Sequence, residues 1–161
     1  MSSLTQHRGF TLIELLVTLA VLVIVITVAV PSFRSLADNN RMTALANEMV
    51  AALNLARSEA VKRGAQVSVC SNAGGWVNGW TVREGTACAG AVIRLWNAPT
   101  AAPTITTEPA GQTRVTFAAL GNRDSTAECI HIESVGGSGD RVLLVGASGA
   151  ISVVRRDACP E

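Results

Sequence analysis

Glu14 is the first residue whose type and place demand chemistry. It is the one charged residue in an apolar run from Phe10 to Val30, which follows Arg8 and Gly9 and closes at Pro31. A carboxylate in a membrane-spanning segment costs about 2.5–3.5 kcal/mol at the bilayer centre on insertion scales, and less near an end. It therefore calls for a cationic partner. Cleavage after Gly9 would create one, because the new α-amine of Phe10 would stand one helical turn from Glu14, on its own chain or a neighbouring one. An acid tolerated at the membrane interface without a partner is the alternative that the residues alone leave open.

Four cysteines form the second candidate set: Cys70, Cys88, Cys129 and Cys159. None stands in a CxxC pair, so the spacing gives no support for a zinc site. An even number beyond an export signal favours two disulfides over buried thiols. Three pairings are possible. The pairing favoured here is Cys70–Cys88 with Cys129–Cys159, because each bond would close a local loop.

The remaining candidates point away from catalysis. Trp76 and Trp80 fit core or cross-strand packing better than a ligand-stacking surface. His131 lies between two isoleucines on an expected strand face. Gly136–Gly139 lacks the GK[ST] of a phosphate loop, and neither a GxSxG elbow nor an HExxH helix occurs. No enzyme activity, cofactor or metal is expected. Arg155 and Arg156 form a small basic pair near Asp157 and Glu161. On a strand they would point to opposite faces and make a poor anion-binding cluster.

The elements that position these residues follow from hydropathy. The chain has 161 residues and a formal net charge of +1, which predicts no strong pull toward nucleic acid. The apolar run is long enough to span a bilayer, since about 21 residues at ~1.5 Å each give roughly 30 Å. Arg8 on the near side and the cysteines on the far side place the N-terminus inside and the domain outside. From Phe33 to Arg63 the pattern turns amphipathic. Leu36, Met42, Leu45, Met49, Leu53, Ala56 and Ala60 make a core-facing stripe. Lys62, Arg63 and Gly64 supply a C-terminal stop. The expectation is one long helix from about Phe10 to Arg63, bent at Pro31, with Asn39-Asn40 as a weak point.

After Gly64 the period shortens. Strands are expected at 67–70, 91–96, 104–107, 114–117, 129–133, 141–145 and 151–154, with a hairpin or bulged strand around Asn78-Gly79. Pro99, Pro103 and Pro109 confine 104–107 to a sheet edge. The fold class is α+β: a long N-terminal helix, half transmembrane and half amphipathic, packed on antiparallel sheets.

The stretch Gly9-Phe10-Thr11-Leu12-Ile13-Glu14, followed by an apolar helix and Pro31, resembles the class III signal of type IV pilins and type II secretion pseudopilins. Ala52–Gly64, ALNLARSEAVKRG, resembles the end of this helix in the GspH/FimT branch. The resemblance implies a pilin-like fold divided into a leader (1–9), a transmembrane or filament-core helix (10–30), an amphipathic half (31–64) and a periplasmic β-rich domain (65–161). It implies that a prepilin peptidase cuts after Gly9 and N-methylates Phe10. Glu14 would guide assembly by neutralising a neighbouring subunit's amine, and Pro31 matches the proline that kinks or melts this helix in filaments. The partners implied are the prepilin peptidase, other minor and major pilins, and the bacterial inner membrane, crossed once.

The function implied is that of a minor pilin, an initiation, tip or connector subunit supporting pilus biogenesis and twitching motility. Two alternatives belong to the same branch. One is a GspH-type pseudopilin of type II secretion. The other is a DNA-binding minor pilin for uptake. DNA-binding members carry a Gly-Arg-x-Arg patch; the matching stretch here is Gly149-Ala150-Ile151-Ser152, with Arg155 and Arg156 as the nearest cations. DNA is thus the less favoured partner.

Overall fold

The computed structural model describes residues 10–100, 103–134 and 139–160. A single long helix, α1 (Leu12–Arg63), precedes eight strands. Its ends are chemically defined. Thr11 is the N-cap: its Oγ1 accepts from the Glu14 N–H at 3.3 Å, and its carbonyl accepts from the Leu15 N–H at 3.2 Å. At the other end Gly64 takes φ +61°, the Gly64 N–H reaches the Val61 carbonyl, and the Ala65 N–H reaches the Ala60 carbonyl. This closure satisfies carbonyls that the helix itself leaves unpaired. Glu14 in the first turn and Lys62 and Arg63 in the last suit the helix dipole.

The chain divides into two compact units, Met1–Leu36 and Ala37–Glu161. In the first, every described residue up to Val28 is exposed. Its apolar helix contains an 18-residue window of mean hydropathy 2.9, long and apolar enough to cross a membrane. The Thr18 and Thr27 hydroxyls donate to the carbonyls of Leu15 and Ile24, so these side chains bring no unpaired donor into the apolar segment. The helix assignment continues through Pro31.

The second unit holds the core. Met42, Leu45, Ala46, Met49, Ala52, Leu53, Ala56 and Ala60 are the buried residues of α1. Leu36, expected to begin this stripe, belongs to the first unit and is 57% exposed. The buried face thus starts at Met42, about a turn and a half later than the periodicity suggests.

The strands are β1 (Val67–Asn72), β2 (Gly75–Glu84), β3 (Val92–Trp96), β4 (Thr104–Glu108), β5 (Arg114–Phe117), β6 (Cys129–Glu133), β7 (Arg141–Val145) and β8 (Ile151–Val154). They form two antiparallel four-stranded sheets, ordered β3-β2-β1-β5 and β4-β6-β7-β8. β4 is an edge strand, as the flanking prolines require. Val67, Val69, Trp80, Val82, Val115 and Phe117 from the first sheet share one apolar cluster with Ile130, Ile132 and Leu143 from the second and with the helix stripe. Each fully buried large side chain in it contributes about 1.5–3 kcal/mol.

The hairpin reading around Asn78-Gly79 gives way to the bulged strand. The reversal lies at Ala73-Gly74, and the β1–β2 register jumps from Ser71↔Trp80 to Asn72↔Gly75. Asn78 braces the reversal, its Nδ2 donating to the Ala73 carbonyl at 2.9 Å. Gly79 has φ +88°, and a Cβ there would collide with the Trp96 carbonyl oxygen. Close approach of the backbone around β3, rather than a turn, requires this glycine.

Candidate assembly site

Phe10 and Glu14 lie at the start of the apolar helix. Phe10 is outside the helix and 84% exposed. Glu14 is the third residue of α1, and its backbone N–H is held by the Thr11 hydroxyl. Among the described residues its carboxylate has neither a hydrogen bond nor an ion pair, so it is available to a cation from outside the chain. Gly9 lies outside the described residues. Pro31 is inside α1; lacking an N–H, it leaves the carbonyl four residues earlier, that of Thr27, without its helical partner.

Thr11 escaped the reading of candidate residues. Its signal was present, because Thr11-Leu12-Ile13-Glu14 has the S/T-x-x-E spacing of a capping box. The cap bond to the Glu14 N–H is made. The return bond of such a box, in which the cap residue's N–H donates to the glutamate carboxylate, is not made among the described residues.

In the second unit Cys70 is joined to Cys88, and Cys129 to Cys159, over separations of 18 and 30 residues. Cys88 is the one non-glycine residue with positive φ among those described, at 54°. The second bond ties the segment after β8 to the first residue of β6.

Trp76 and Trp80 are both buried, and the Trp76 Nε1–H donates to the Gln112 carbonyl at 2.8 Å. They are core residues. His131 is half-buried on β6, with Nε2 at 4.0 Å from Asp140 Oδ2. Among the described residues no three His, Cys, Asp or Glu side chains gather as a metal site. A cavity of about 1040 Å3 is lined by Glu108, Arg123, Glu128 and the Cys129–Cys159 bond among others. Arg123 there donates from Nη1 to the Ser125 carbonyl at 2.7 Å and from Nη2 to Glu128 Oε1 at 2.9 Å, while its buried Nε has no hydrogen-bond partner among the described residues.

The basic pair needs a correction. Arg155 and Arg156 follow β8 rather than lying on it, and both are exposed. Pleat alternation therefore does not separate them. Ala150 and Ser152, at the positions of the two patch arginines, are both exposed and carry no charge.

A cleavable-looking N-terminal signal, an exposed apolar helix with one acid at its start, and a disulfide-braced domain of helix and two sheets define a pilin-like protein. Residues 45–149 match the family model of the type II transport protein GspH, and the chain belongs to that family. Residues 4–30 match the model of the prokaryotic N-terminal methylation motif. Two crystal structures of the type IV minor pilin FimU from Pseudomonas aeruginosa PAO1 are similar in fold. The form in space group P21 gives a TM-score of 0.63 at 23% identity, covering 76% of this chain and 94% of FimU. The P65 form gives 0.60 at 26% identity, covering 74% and 97%. A comparison with curated protein sequences finds no match.

Proposed function

We propose that this chain is a minor pilin, inserted through its N-terminal helix into a type IV pilus beside other pilins. The observation that carries the reading is Glu14: an acid with no partner among the described residues, one turn from Phe10, at the head of a helix whose apolar surface is exposed up to Val28. Isolated in lipid, such a carboxylate is costly; a neighbouring subunit's terminal amine removes the cost. The methylation motif supports removal of the leader after Gly9 and modification of Phe10 by a prepilin peptidase. Arg8 and the two disulfides support an inner-membrane precursor with its domain in the periplasm. The likeness to FimU, a type IV minor pilin, favours the pilus over the secretion alternative; a supporting role in twitching motility is part of the same proposal.

The test uses the full-length chain in a piliated bacterium. Intact mass reports leader removal, and the protein content of sheared pili reports incorporation. Gly9→Ala should keep the leader. Glu14→Ala should be cleaved but missing from pili. Normal cleavage of the first variant, or wild-type incorporation of the second, would overturn the proposal. Recovery with secretion subunits and not with pili would replace it by the pseudopilin reading.

A further inference from the structure

We propose that Leu120 and Val61 form a docking face for a neighbouring pilin subunit, one that presents an apolar surface carrying a carboxylate. The inference rests on the minor-pilin reading above and places a contact in the second unit. Residues Ala118–Gly121 make a tight turn after β5, closed by the Gly121 N–H donating to the Ala118 carbonyl at 2.8 Å. The corner of such a turn favours glycine, asparagine, aspartate or serine, which suit water or the turn's own backbone. Leucine stands there instead, as Leu120, 90% exposed. It is not alone. A Cβ on Gly121 would stand 2.9 Å from Val61 Cγ2, so the turn lies directly against Val61, itself 54% exposed. Single apolar residues are ordinary on a protein surface; contiguous ones rimmed by polar groups, as here by Arg57, Ser58 and Lys62, mark interaction sites.

The face is braced from below. A second turn, Gly146–Gly149, is closed by the Gly149 N–H on the Gly146 carbonyl at 2.8 Å. It nests against the first, since a Cβ on Gly149 would collide with the Gly121 carbonyl oxygen. Arg57 of α1 lies beside both glycines and donates from Nη2 to the Ser148 carbonyl at 3.3 Å. A loop already held in this way loses little further freedom on docking, which favours association. The charges select the occupant. Arg57 is half-buried and makes no ion pair among the described residues. Lys62 is exposed, and its acid, Glu59, is shared with Arg63. The face therefore carries cationic charge that an acid on the partner complements. Two copies placed face to face would bring cation to cation, so a second copy of this chain is the poorer occupant.

The experiment compares Leu120→Asp with Leu120→Met, which keeps an apolar side chain of similar size. Full-length protein in detergent micelles, followed by tryptophan fluorescence, should unfold at the wild-type urea midpoint in both variants. In the piliated host both should lose their leader. Burying one leucine in a contact is worth about tenfold or more in the equilibrium, so Leu120→Asp should fall about tenfold in sheared pili while Leu120→Met stays near wild type. A benzophenone amino acid in place of Leu120 should cross-link under ultraviolet light to a peptide of another pilin that holds Asp or Glu among apolar residues. Wild-type pilus content of Leu120→Asp would overturn the docking role. A shifted urea midpoint would do the same, because position 120 would then be structural. No cross-link in assembled pili, or one to lipid or to a second copy of this chain, would overturn the assigned partner. Wild-type pilus content of Glu14→Ala would instead sink the minor-pilin reading, whereas loss of Glu14→Ala with retention of Leu120→Asp would sink the docking face alone.

Discussion

Arg141 on β7 donates from Nη2 to the Thr43 hydroxyl of α1 at 2.9 Å, joining the second sheet to the helix across 98 residues. The same nitrogen reaches Asn39 Oδ1 at 3.4 Å, and Nη1 donates to the Gly139 carbonyl at 2.7 Å. Asn39, expected to weaken the helix, is instead held by this contact, and its carbonyl accepts from Thr43 Oγ1 at 2.8 Å. Arg141→Ala should destabilise the domain from Ala37 onward by about 1–2 kcal/mol in urea unfolding, since a hydrogen bond to a charged group is stronger than a neutral one. Thr43→Val should cost less. A double-mutant cycle showing no coupling between the two would mean that the contact contributes nothing.

A second clasp lies at the helix's end. Arg63 donates from Nε to Glu59 Oε2 at 2.6 Å and from Nη1 to Glu84 on β2, and Lys62 stands 3.6 Å from Glu59. The hydrogen bond from Arg63 holds the Glu59 carboxyl below its ordinary value of 4.5. A carboxyl depressed on folding stabilises the native state above its unfolded value, and that contribution fades as pH falls through the folded value. Wild type should therefore be more stable than Glu59→Gln at pH 7. The gap should begin to close below about pH 4.5 and be gone at lower pH, once Glu59 is protonated in both states. Unfolding curves at pH 7, 5, 4 and 3 would show it; a gap that stays constant over this range would refute the argument.

Much of this architecture was legible because periodicity is a local signal. The 3.6-residue stripe from Met42 to Ala60 and the Gly64 stop located the second half of the helix, and prolines around 104–107 located an edge strand. What failed was what periodicity does not encode. Leu36 fits the stripe, but burial depends on whether another element covers it. Gly79 looked like a turn residue, while its actual constraint is the Trp96 carbonyl, 17 positions away in sequence. Arg155 and Arg156 lie just past the strand whose pleat was used to separate them. At the candidate site Glu14 announced itself by being charged among apolar residues. Thr11 is marked only by its S/T-x-x-E spacing to Glu14, a cap signal that hydropathy does not carry.

The Cys129–Cys159 bond anchors a terminal segment whose residues from Arg155 to Ala158 are all exposed. Cys129 itself is buried at the start of β6, opposite Leu144 of β7 and Glu108 of β4. Replacing both cysteines by serine should cost about 2–4 kcal/mol, the usual worth of a disulfide closing a loop of this length. Intact mass should rise by about four hydrogens when the wild-type domain is reduced, two for each bridge. A domain equally stable after the double replacement would show that the core alone fixes this end of the second sheet.

The last prediction concerns DNA. Each phosphate contact releases counterions, so the salt dependence of binding counts the cations engaged, with a slope of about −0.9 per contact on duplex DNA. Ala150 and Ser152 offer none. Arg155 and Arg156 are exposed and adjacent, which allows at most two, and Asp157 follows directly. Titrated against fluorescent double-stranded DNA between low and moderate salt, the domain should show a slope no steeper than about −2. Its affinity near physiological salt should not exceed the non-specific range of about 10⁻⁴–10⁻⁶ M. Binding with a slope near −4 or steeper, abolished by Arg155→Ala with Arg156→Ala, would require a larger basic surface organised around this pair, and the chain would then be better read as a DNA-capturing pilin than as an assembly subunit.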